Sequence, residues 1–134
     1  MTIAVLLRDA LAENSGVSSK VSTRIYPLLL PENNPTLPAI TYQRISNTAT
    51  NGSTALRETR WQISCWAKRS EGISGYKAAQ ELAASVKSAL EEYRDTSETP
   101  GIKQAYVVNE NDDYDDEARV YRTIVDVMLV TTGD

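Results

Sequence analysis

Histidine is absent from the 134 residues, and that one gap removes whole classes of chemistry. A Ser/His/Asp triad, a Cys/His pair and a His-ligated metal all need an imidazole. Cysteine occurs once, at Cys65, which excludes an internal disulfide and a thiolate zinc site and suits a reducing compartment. No apolar run approaches the roughly 20 residues that cross a bilayer. The opening MTIAVLLRDALAEN has neither the basic start nor the small-residue cleavage site of a signal peptide. No glycine-rich phosphate loop is present, since GISG (Gly72–Gly75) is too short. The expectation is a soluble intracellular domain with no catalytic residues, no metal and no cofactor.

What is present is ordinary in amount and uneven in placement. Hydrophobic residues make up 41% and charged residues 24%, which is enough apolar material for a folded core and too little charge for disorder. The length suits one domain over 1–134. The net charge of −4 is concentrated in ENDDYDDE (Glu110–Glu117), which holds six carboxylates and no base; the remainder carries two more bases than acids. The chain therefore reads as a near-neutral body with one acidic protrusion, which argues against a general nucleic-acid-binding surface and against an acidic mimic of DNA.

Ile3, Leu6, Leu7, Ala10 and Leu11 recur on one helical face, with Thr2 as N-cap and Gly16 just past the end, so a helix is expected over Thr2–Asn14. A polar link follows over Ser15–Thr23. Pro27, Pro31, Pro35 and Pro38 then mark residues 24–38 as an extended arm, gripping the body through Ile25, Leu28 and Leu30. Alternation predicts strands over Ala39–Ser46 and Leu56–Ala67, joined by the polar loop Asn47–Thr54 with its Asn51–Gly52 turn signal. Ala79, Leu82, Ala83, Val86, Leu90 and Tyr93 share a face of a second helix over Ser74–Tyr93. Strands are expected again over Ile102–Asn109 and Val120–Thr131, with the acidic hairpin loop over 109–118 between them. The order α-β-β-α-β-β gives an α+β fold: an antiparallel four-stranded sheet with two helices packed on one face. The other sheet face is left wet, or covered by the arm or by another subunit.

As a metal site the acidic loop fails the EF-hand spacing in both registers, because Tyr114 or Asp116 falls where glycine is needed and Val120 or Arg122 where the bidentate Glu belongs. It reads as a solvated hairpin tip or a partner-facing patch. Cys65 lies on the apolar side of its strand and reads as packing. Trp61 and Trp66 fall on opposite faces, one in the core and one under the arm or against a neighbour. Asp126 stands among apolar strand residues and calls for a partner such as Arg60, Arg119 or Arg122.

Taken together, RIYPLLLPENNPTLPAITYQRIS (Arg24–Ser46), RWQISCWAKR (Arg60–Arg69), AAQELAASVKSAL (Ala78–Leu90) and YDDEARVYRTIVDVMLV (Tyr114–Val130) make a familiar series. In number and order these segments resemble the tail completion proteins of long-tailed bacteriophages, also called tail terminators or tail-to-head joining proteins. The resemblance covers nearly the whole chain and contains no chemical motif. It implies a virion structural protein, assembled in the host cytoplasm, that forms a hexameric ring at the head-proximal end of the tail. Its partners would be the tail tube protein and the head-tail connector, with DNA passing through the channel without specific binding and no membrane involved. On this reading Glu110, Asp112, Asp113, Tyr114, Asp115, Asp116 and Glu117 face a partner or the channel, while Asn47, Thr48, Asn51, Tyr26 and Leu28 meet a neighbouring subunit. The competing class is a divalent-metal enzyme held by carboxylates, such as a nuclease.

Overall fold

The computed structural model describes residues 2–50 and 53–133, so the expected Asn51–Gly52 turn lies outside the described residues. Eight elements run in the order α1 (Ile3–Glu13), α2 (Ser15–Val21), β1 (Ile25–Pro27), β2 (Ala39–Thr50), β3 (Ser53–Ala67), α3 (Gly75–Leu90), β4 (Gly101–Asp115) and β5 (Val120–Thr132). The fold is α+β as expected, but the described residues form five strands in the spatial order β1-β2-β3-β5-β4 and three helices.

Both additions come from segments that looked irregular in the sequence. The polar link is helical because Asn14 ends α1 in an extended conformation and caps α2, its Oδ1 accepting from Val17 N at 3.1 Å. Val17 and Val21, four residues apart, are then buried together. Gly16 consequently sits inside α2 rather than past the end of α1. The fifth strand is the start of the proline-rich arm: Ile25–Pro27 pairs parallel to Ile40–Tyr42, which makes a mixed sheet. Pro27 is tolerated there because this is an edge strand. The other pairings are antiparallel.

One face of the sheet carries the helices. Ile40, Tyr42, Trp61, Ile63, Cys65, Val125, Val127, Leu129 and Ala105 are buried on it against Ile3, Leu7 and Leu11 of α1, Val17 and Val21 of α2, and Leu82, Val86 and Leu90 of α3. The expected N-caps hold: Thr2 accepts from Val5 N at 3.3 Å and Ser74 from Lys77 N at 3.4 Å. The last helix stops at Leu90, and Tyr93 packs on the core from just beyond it. No helix is long and apolar enough to cross a membrane among the described residues.

Among the described residues the opposite face carries no helix. Across it Gln43, Gln62, Asp126 and Asn109 stand in register, with Thr41, Ser64 and Ile124 in the next row.

Candidate functional site

The acidic segment is not a loop. Its residues Glu110 to Asp115 continue β4, and only Asp116–Arg119 form the turn into β5. Strand alternation therefore separates the carboxylates. Glu110 and Asp112 point to the helix side, where Lys87 Nζ lies 2.9 Å from Glu110 and the Tyr76 hydroxyl donates to Asp112 at 2.9 Å. Thr123 Oγ1 donates to the other oxygen of Asp112 at 2.9 Å. Tyr114 shares this side, its ring centroid 4.6 Å from that of Tyr121, which in turn lies 6.1 Å from Tyr76.

Asp113 points to the uncovered face and pairs with Arg122 at 2.6 Å. That hydrogen bond, with one from Tyr114 N, holds the Asp113 carboxyl below the usual carboxylate range. Asp115 turns its carboxylate back on the chain, accepting from Glu117 N and Ala118 N at 3.1 Å each. The acids thus brace the hairpin from two sides instead of converging. Among the described residues no group of three His, Cys, Asp or Glu is placed to hold a metal ion.

The tryptophans divide as the alternation requires. Trp61 is buried beside Tyr42 and its Nε1 donates to Thr59 Oγ1 at 3.0 Å. Trp66 lies half-buried on the uncovered face, donating to Thr41 Oγ1 at 2.9 Å while Arg122 stacks over its ring at 4.9 Å. A shallow cleft beside it is lined by Leu30, Pro35 and Leu37 of the arm and by Asp115, Glu117 and Val120 of the hairpin. Asp126 has its partner in Arg60, at 2.9 Å. Cys65 is fully buried, and burial, helped by the Glu110 charge, pushes its thiol well above the ordinary range, so it is packing and not a nucleophile.

Of the expected subunit-contact residues, Asn47, Thr48, Tyr26 and Leu28 lie along one side of the sheet. Asn47 and Thr48 are in β2 rather than in a loop, with Asn47 Oδ1 accepting from Arg57 Nε at 2.6 Å. Asn51 lies outside the described residues. Tyr26 is half-buried in β1. Leu28 does not grip the body as its apolar character suggested; that task falls to Ile25 and, in part, Leu30. Its amide donates to Tyr42 O at 2.9 Å with φ at 66°, which holds the backbone while the side chain stays 62% exposed; Leu29 beside it is 79% exposed.

Sequence reasoning missed the requirement at Gly75. A Cβ there would come within 2.6 Å of Tyr121 Cδ2 and 2.9 Å of Arg69 N, so the start of α3 lies against the aromatic cluster only because that position lacks a side chain. The glycines of GISG were visible, but nothing local indicated a close approach from β5.

The family model for Tail completion protein gp17 matches residues 5–132 of this sequence. No curated protein sequence matches it. Among solved structures, a chain of the virion of a native gene transfer agent (GTA) particle superposes with a TM-score of 0.72 at 15% identity, over 95% of this chain and 92% of that one.

Proposed function

The chain belongs to the tail completion protein gp17 family, and from that premise we propose that it forms a ring at the head-proximal end of a phage tail. As a member of that family it is a bacteriophage virion structural protein of the tail. In the proposed role the ring stops growth of the tail tube, joins tail to head connector, and leaves a channel through which DNA passes without specific binding.

The observation that carries this reading is the family match over residues 5–132, nearly the whole domain. The surfaces agree with it. An assembly subunit needs exposed edges and apolar side chains held outward, and here Leu28, Leu29, Ile45, Tyr106, Val108 and Tyr114 are all exposed. A reactive centre needs converging groups, whereas these carboxylates diverge to opposite faces of one hairpin, each set held by its own partners. The chain acts by fit and carries no catalysis.

Of the acids, Asp116 and Glu117 sit in the turn and are the ones best placed to meet a connector protein or passing phosphates. Facing the channel, they would repel DNA phosphates and keep the passage from gripping. Neutralising Asp116 and Glu117 separates this role from the bracing role of Glu110, Asp112 and Asp113.

The test is genetic and visual. With the gene disrupted, electron microscopy is expected to show filled heads without tails and tubes of irregular length, and purified protein added back restores joining. Tails of normal length attached to filled heads, without this protein, contradict the proposal.

A further inference from the structure

Resting on the ring reading, we propose that neighbouring copies join edge to edge: the outer edge of β4 in one copy pairs antiparallel with the outer edge of β2 in the next. The occupant of each open edge is therefore a second copy of this chain.

Three observations converge on it. The first is the open backbone. β1 covers β2 only over Ile40–Tyr42, and among the described residues no strand lies beyond Gln43–Thr50. At the other side the segment after α3 bonds to β4 at Ile102 and Ala105, leaving Tyr106–Asp115 with no strand outside it. Exposed strand edges of that length are templates for pairing with another chain.

The second is where the exposed large apolar side chains fall. Leu28, Leu29 and Ile45 flank the β2 edge, while Tyr106, Val108 and Tyr114 belong to β4. These six of the eight exposed large apolar side chains among the described residues lie at the two opposite borders of the sheet, where a single contact repeated around a ring would cover both groups; the other two, Ile73 and Tyr76, stand around the start of α3.

The third is charge. The open stretch of β4 contributes Glu110, Asp112, Asp113 and Asp115 and no base, with Glu110 and Asp113 already paired to Lys87 and Arg122. Gln43–Thr50, by contrast, contributes Arg44 and no acid, with both Arg57 and Glu58 next to it on β3. Pairing two β4 edges would set carboxylates against carboxylates; pairing β4 with β2 sets them against arginine. The edges are thus matched to each other and not to themselves, which selects a head-to-tail contact over a two-fold one. Strand direction agrees: β2 and β5 run one way, β3 and β4 the other. A copy rotated about an axis along the strands presents β2 antiparallel to β4. The bulges at Arg44/Ser46 and Val107/Asn109 interrupt both edges, so only a partner matching them pairs at length.

Cysteine pairs test this without assuming a register. Ile45→Cys is combined in turn with Tyr106→Cys, Val108→Cys and Tyr114→Cys, all exposed positions, and each protein is oxidised in assembled tails. At least one pair is expected to give a ladder of linked copies on a non-reducing gel, while the single variants stay monomeric. As a second readout, amide exchange over Gln43–Thr50 and Tyr106–Asp115 slows in the assembled state and not in the free chain. Rings visible by electron microscopy with no ladder from any pair and unchanged exchange overturn the edge contact and leave the ring standing. Tails that contain no ring of this chain overturn both.

Discussion

Gly75 is the position where the smallest change carries the most information. A methyl group there meets Tyr121 and the backbone of Arg69, so Gly75→Ala is expected to cost about 1–3 kcal/mol and lower the thermal midpoint by several degrees. An unchanged melting curve would show that α3 does not need its close seat on β5. The Asp113–Arg122 pair gives a pH signature. Because the folded carboxyl is held below its ordinary value, the pair stabilises at pH above the unfolded value and is lost as pH falls through the folded one. Thermal midpoints measured from pH 6 down to pH 2 should fall less steeply below about pH 4 in Asp113→Asn than in the parent, by a small margin at so exposed a site. A partner for Asp126 was legible in the sequence because a carboxylate among strand apolars needs one; that it is Arg60 follows only from β3–β5 register. The individual partners of the acids were not legible, since Lys87 and Tyr76 reach them from α3, over 20 residues away.

Elements with strong periodicity were readable and those held by long-range pairing were not. α1, α3, β3 and β5 follow from repeats of apolar residues that local physics converts into faces. The first helix contributes the fully buried Ile3, Leu7 and Leu11, and Leu7→Ala is expected to cost about 2–5 kcal/mol in a denaturant titration. A loss under 1 kcal/mol would mean that α1 is peripheral to the core. α2 was hidden because only Val17 and Val21 mark it in a serine-rich stretch, yet the shared cap Asn14 makes it a helix. β1 was hidden by its prolines, which favour extended backbone without saying whether another strand lies beside it. The continuation of β4 through the acids was hidden by composition: carboxylates are poor strand formers alone, but β5 supplies partners as far as Val120. That correction changes the functional reading, because a strand divides its side chains between two faces where a loop would present them together.

At the scale of the whole molecule, family membership and the uncommitted borders of the sheet point the same way. The α+β class was expected from composition and order; where the candidate segments fall in the sheet was not legible, because only the strand order puts β1–β2 and β4 at opposite borders. A metal-dependent role predicts that millimolar calcium or magnesium raises the thermal midpoint; with the carboxylates split between two faces, no shift beyond experimental error is expected. The measurement that bears most directly on the account is a cryo-electron microscopy reconstruction of the joint between head and tail in the intact virion. It should contain a closed ring of copies of this chain stacked on the last ring of the tail tube, each subunit touching the next through unlike surfaces. A joint built without this chain, or holding one solitary copy, would contradict the account.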